Sequence, residues 1–245
     1  MHPVQVISLE RSVERRAEFR RRNPRLDFAF FNAVDGAALT PEAIAASGLF
    51  QPGLSYTVGA YGVALSHHTL WEDCIRSGKA LTVAEDDAVF REDFAEAQAE
   101  LLGKLLPGWD FVLWGWNFDS MLAVRILPNV PAVMGFDPES LRKAIRGFPF
   151  TTGMPQAFRL DHAFGLPADT ISPAGAKKFK TRCFPLSEFS RTLPLITEPV
   201  INSGIDAALN NVYAGADCYA AFPPLVATEN DQANSTIQNG QYFGQ

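Results

Sequence analysis

The chain has 245 residues, 47% of them apolar and 20% charged, with a formal net charge of −6. That balance gives a globular chain with a sizeable core, and it excludes both a disordered segment and a protein that holds nucleic acid by bulk positive charge. No run approaches the roughly 18–20 apolar residues that cross a bilayer, and the three cysteines are too scattered for a disulfide framework or zinc spacing, so any membrane contact would be peripheral.

Val4 to Leu9 is short and β-branched, which suits a buried strand. The apolar run at the N-terminus is too short for a signal peptide, and with the unpaired cysteine count it predicts a cytoplasmic protein. Ser12 offers an N-cap to a helix over 13–22, with Arg15 and Arg16 in its first turns. Phe28 to Phe31 predicts a second strand, closed by the turn signal Asp35-Gly36. Val63, His67, Leu70, Trp71, Cys74 and Ile75 recur near a 3.6 period, so a helix should run from about 60 to 77 and stop at Gly78. Ala80 to Ala84 predicts a strand that runs directly into Glu85-Asp86-Asp87. Asp93 and Glu96 then make a capping box for a helix carrying Phe94, Ala97, Leu101 and Leu105. A strand over 110–116 would set Trp114 and Trp116 on one side, where they could line a pocket or fill the core.

This alternation predicts an α/β chain with a mostly parallel central sheet. From 117 to 165 the pattern changes to frequent Pro and Gly with one helix near 138–146, as in a loop-rich insertion that closes over a site. Ser172-Pro173 opens a further helix to about 181, and 204–211 predicts a short one.

On an extended backbone Glu85 and Asp87 point to the same side, with Cα atoms about 7 Å apart. Paired carboxylates at the carboxyl end of a strand suit Mg²⁺ or Mn²⁺ bridging to substrate phosphates. Three consecutive acids also fit a solvated turn, and residue types alone leave both readings open.

Four blocks in order carry a family signal: Ile7-Ser8-Leu9-Glu10-Arg11-Ser12-Val13-Glu14-Arg15-Arg16, Phe31-Asn32-Ala33-Val34-Asp35-Gly36, Gly62-Val63-Ala64-Leu65-Ser66-His67 with Trp71, and Glu85-Asp86-Asp87 followed by Phe90 and Phe94. Together they resemble glycosyltransferase family 25, which includes lipopolysaccharide and collagen galactosyltransferases. Ile171 to Lys178 resembles that family's serine-turn-helix segment, and Gln232, Ser235 and Ile237 resemble its closing motif. Residues 166–170 lack the family's aromatic, and the Pro-rich stretch 127–155 has no counterpart.

The resemblance implies a GT-A-type, Rossmann-like nucleotide-sugar-binding fold, with a donor lobe over about 1–116 and an acceptor lobe over about 117–245. It implies metal-dependent transfer of a hexose, galactose from UDP-galactose, to a saccharide such as lipopolysaccharide or another surface glycan. Mn²⁺ or Mg²⁺ would sit on Glu85 and Asp87. Ser8, Leu9, Arg11, Arg15, Asp35, Ser66, His67 and Asp86 would surround the donor, and Asp206 or Asp169 would serve as base. Each has an ordinary alternative: arginines of a solvated helix, an Asp-Gly turn, a core histidine. The rival functions are a metal-dependent nucleotidyltransferase or phosphohydrolase, and a non-catalytic saccharide-binding protein.

Overall fold

The computed structural model describes residues 3–193, 199–230 and 242, so the closing motif at Gln232, Ser235 and Ile237 lies outside the described residues. Strand β1 (Val4–Ser8) lies between β2 (Phe28–Asn32) and β3 (Leu81–Glu85), parallel to both. Helix α1 (Val13–Arg22) makes the first crossover. After α2 (Pro41–Ser47), the 20-residue helix α3 (Val58–Ser77) makes the second. Thr57 caps α3 by accepting from Ala60 N at 3.2 Å, and Gly78 ends it in the left-handed conformation at φ 67°, the role its position predicts. Beyond β4 (Val89–Phe90) and α4 (Phe94–Lys104), strand β5 (Phe111–Leu113) continues the sheet.

Stretch 117–165 differs from its expectation. It holds β6 (Met121–Leu127), β7 (Val130–Gly135), α5 (Pro138–Ala144) and β8 (Gln156–Ala163). Proline and glycine fall at turns and at an edge strand, where they cost no ladder bonds, so the composition reads as loop although three strands and a helix run through the stretch. Strand β9 (Ala168–Ile171), helix α6 (Pro173–Cys183), the short pair β10 (Ser190–Arg191) and β11 (Val200–Ile201), helix α7 (Ile205–Leu209), β12 (Cys218–Phe222) and β13 (Val226–Ala227) complete the order.

The nine-stranded sheet runs β2-β1-β3-β9-β5-β12-β8-β6-β7. Strands β1, β2, β3, β5, β6 and β12 share one direction, while β7, β8 and β9 oppose it. The layered α/β expectation thus holds, with a mixed sheet continuous through both halves. Helices α1 and α4 cover one face through Phe19, Phe94, Ala97 and Leu101. On the other face α3, α6 and α7 pack through Tyr61, Trp71, Phe179, Ile205 and Leu209. Gln98 of α4 donates to Thr82 and Thr170 at 3.0 and 2.9 Å, and Trp114 Nε1 donates to the same Thr170 hydroxyl at 2.8 Å, so this buried polar cluster is fully bonded.

Three local expectations change. Asp93 and Ser12 stand at helix starts but neither side chain caps, and Asp93 pairs with Arg91 instead. The two tryptophans do not share a side. Strand β5 ends at Leu113, and Gly115 lies so close to Val226 that a Cβ there would meet its carbonyl oxygen at 2.1 Å. The chain turns at that contact, which sends Trp114 into the α1–α4 core and Trp116 into the α3–α6 core.

Candidate donor site at the carboxyl ends of β1 and β3

A cleft of about 830 Å³ opens at the carboxyl ends of β1, β2 and β3. Its lining includes Ser8, Leu9, Arg11 and Arg15 from the first block, Asp35 and Gly36 from the second, all three acids, and Asp206 from α7. The volume lies within the range of sites that enclose a whole small-molecule ligand.

The acids have different surroundings. Asp86 is locked down: Ser8 Oγ donates to its Oδ2 at 2.7 Å, and Arg15 donates to its Oδ1 from Nε at 2.8 Å and from Nη2 at 2.5 Å. Arg16 binds the Ser8 carbonyl at 2.8 Å and Asn32 Oδ1 at 2.7 Å, fixing the ends of β1 and β2 together. Glu85 and Asp87 are held less firmly. Burial raises the Glu85 pKa well above the usual carboxylate range, and the charges of Asp87, Asp206 and Asp86 push it further. Burial also raises that of Asp87, against the opposing pull of Arg15 at 4.0 Å. One Asp87 oxygen is buried without a hydrogen-bond partner, and Thr228, just past β13, supports its charged form.

Mn²⁺ or Mg²⁺ fits this chemistry. Two crowded carboxylates with raised pKa values, one with an oxygen that has no hydrogen-bond partner among the described residues, form a locus that a divalent cation would relieve. Among the described residues no group of three or more His, Cys, Asp or Glu side chains is assembled for a metal.

The second and third blocks meet at a backbone contact. A Cβ on Gly36 would meet Val58 O at 1.7 Å, and one on Gly62 would meet Val34 O at 2.4 Å. Only glycine permits α3 to approach the 34–36 loop this closely. Ser66 Oγ accepts from Val34 N at 2.9 Å and donates to Gly62 O at 2.7 Å, clamping the loop from the helix side. Asp35, so placed, caps the turn over Gly36–Ala38 and pairs with Arg11 across the cleft edge. Ser66 therefore stands one step behind the cleft.

His67 and Asp169 stand further away. His67 is 1% exposed on the core side of α3, neither ring nitrogen has a partner, and burial lowers its pKa to about 4, so it is neutral. Asp169 is enclosed in β9, where burial raises its carboxyl well above the ordinary range. Asp206 is on the cleft. Its Oδ2 accepts from Gly165 N at 3.0 Å and its Oδ1 from Ala207 N at 2.8 Å, which fixes both oxygens.

Sequence reading misses Asn117, Gly165 and the segment 226–230. No periodicity marks them, because they reach the cleft through long-range pairings: β13 with β4, and Asn117 N with Phe164 O at 2.9 Å.

The family model for glycosyltransferase family 25 (LPS biosynthesis protein) matches residues 1–181. A "Glycosyltransferase 25 family member" of Aedes aegypti is 32% identical over 125 residues, 46% of this chain and 21% of that protein. The "Putative glycosyltransferase R655" of Acanthamoeba polyphaga mimivirus is 33% identical over 130 residues, 49% of this chain and 40% of that protein. A rat relative named "Probable inactive glycosyltransferase 25 family member 3" is 30% identical over 142 residues, 51% of this chain and 25% of that protein. The aligned region thus spans about a fifth to two fifths of these relatives' lengths. With the matched blocks gathered around one cleft, the chain belongs to glycosyltransferase family 25.

Proposed function

We propose that the cleft binds a nucleotide-sugar donor and that the chain transfers its hexose, galactose from UDP-galactose, to a hydroxyl of a saccharide such as lipopolysaccharide or another surface glycan. The observation that carries this reading is the pair Glu85 and Asp87 on the cleft wall, one Asp87 oxygen without a hydrogen-bond partner among the described residues, while Asp86 between them is bonded by Ser8 and Arg15.

Mn²⁺ or Mg²⁺, held on Glu85 and Asp87, would offset charge on the departing diphosphate. The chain's own groups do the rest. Arg11 and the uncapped first turn of α1 border the cleft beside Ser12, where N–H groups favour phosphate oxygens. Asp35 stands where a ribose or base edge would contact the 34–36 loop. Asp206, its oxygens oriented by two backbone N–H groups, takes the proton from the acceptor hydroxyl. The new bond forms from that oxygen to the sugar's anomeric carbon, and the bond to the diphosphate oxygen breaks with its electron pair leaving on UDP.

Thermal denaturation with UDP-galactose, UDP-glucose, ADP-glucose and UDP, each with and without Mn²⁺, tests this. Stabilisation by the uridine compounds that grows with Mn²⁺ is the expected result. No shift with any of them, or release of inorganic phosphate in place of UDP on incubation, overturns the reading.

A further inference from the structure

We propose that a second cleft, on the far side of segment 226–230, binds a saccharide that carries a single phosphate or carboxylate group. The inference rests on the glycosyl-transfer reading only in taking that saccharide to be an outlying unit of the acceptor, whose reacting hydroxyl lies at Asp206 in the first cleft. The cleft has a volume of about 920 Å³ and lies between the end of α1, strand β4 and residues 145–150. Glu229 borders both clefts and pairs with Arg22 at 2.9 Å, so one narrow wall separates them.

In a chain of net charge −6, five arginines line this cleft. Their commitments differ. Arg91, its side chain 1% exposed, donates to both Asp93 oxygens at 2.9 and 2.5 Å and to Gly153 O at 2.8 Å, so it builds the floor. Arg22 holds the wall, and Arg25 pairs with Glu92 at 2.8 Å. Arg146 has no partner among the described residues. Beside it on the same cleft, Phe150 leaves 68% of its surface exposed.

A free guanidinium recognises phosphate or carboxylate through paired N–H donors, and an exposed ring packs against the C–H face of a sugar. The two together select a sugar bearing an anion over either part alone. Glu92 and Glu96 also line the cleft, and their charges disfavour a polyanion.

Chemical-shift titrations of the ¹⁵N-labelled full chain with glucose 6-phosphate, glucuronate, glucose and inorganic phosphate test the proposal. Glucose 6-phosphate or glucuronate should shift amides of residues 145–150 and bind more tightly than glucose, and the stronger of the two identifies the anion. Arg146→Ala should weaken the anionic sugar about tenfold, with Arg146→Lys in between. Phe150→Ala should weaken the sugar probes and leave inorganic phosphate unchanged. Both side chains are exposed, so neither variant threatens the fold. Equal affinity for glucose and its anionic counterparts, or indifference to both alanine variants, overturns the proposal. A UDP titration read at Asp35 and Ser66 reports the donor cleft separately, so its failure would sink the donor reading and leave this result intact.

Discussion

Neighbouring side chains of one type carry opposite assignments here, and contact decides between them. Asp86 is a strut with both oxygens bonded and Asp87 keeps one oxygen without a partner among the described residues, although they are adjacent in sequence. Both Glu85 and Asp87 hold their protons more tightly folded than unfolded. Their contribution to stability is therefore greatest below the unfolded carboxylate range, near pH 4, and falls as pH rises through the raised values. Asp87→Asn should accordingly raise the Tm of the ligand-free protein at pH 8 only slightly, because the side chain is 37% exposed and its charge partly screened, while abolishing Mn²⁺-dependent stabilisation by UDP-galactose. An unchanged or lower Tm, measured without divalent ions, would count against crowded charge at the strand end. Arg15→Ala removes both bonds to Asp86 and should cost about 1–3 kcal/mol in urea unfolding. It should also raise the donor KM more than the acceptor KM, since the freed Asp86 adds negative charge beside the phosphates. His67→Leu should leave UDP binding intact within twofold, because the ring is neutral and packed behind the cleft. These assignments were only partly legible. The residue types and block order point to the right end of the sheet, but the contacts that separate Asp86 from Asp87 come from the fold.

Among the elements, the interlock between α3 and the 34–36 loop has the most consequence for the site. The sequence shows Gly36 as half of a turn signal and Gly62 as one small residue in a helix. Neither shows that two backbones meet there. Gly62→Ala keeps helix propensity and adds one methyl group against Val34 O, so propensity favours it while packing opposes it. Packing wins at 2.4 Å. The variant should unfold about 1–3 kcal/mol more easily and lose UDP affinity, whereas Gly103→Ala, whose Cβ would meet nothing within 4 Å, should be neutral or stabilising. Equal effects from the two variants would show that the close approach does not hold the loop. Helix α3 is legible from periodic apolar positions and the Gly78 stop, α4 from its apolar spacing, and α1 and α6 from the start signals at Ser12 and Ser172-Pro173. Strands β6 to β8 are not, because their prolines and glycines sit at turns and edges.

At the scale of the whole molecule, the sheet joins the half that carries the acidic run to the half that carries Asp206. Asp110, fully buried at the start of β5, accepts from Lys178 Nζ at 2.6 Å and from Asp217 N at 2.8 Å, tying α6 and the start of β12 to one carboxylate. Lys178→Met should cost about 2 kcal/mol, less than a fully buried pair because the ammonium is half exposed. It should leave the UDP-dependent thermal shift unchanged, and a lost shift would mean that this distant tie also sets the cleft. Neither Asp110 nor its partners are marked by any motif, since the contact spans 107 positions of chain.

Strand β9 bears on how the chain assembles during synthesis. It pairs Leu81 with Ile171 and Phe111 with the same Ile171, so the strands on either side of it have no common neighbour until residues 168–171 have been made. A nascent chain of about 150 residues would display two open sheet edges lined with apolar side chains. Such edges recruit chaperones or other nascent chains, and pairing across so long a loop is slow. Residues 1–116 are therefore complete in sequence well before their strands can be complete in structure, and the ribosome must release β9 before the acidic strand gains its second partner.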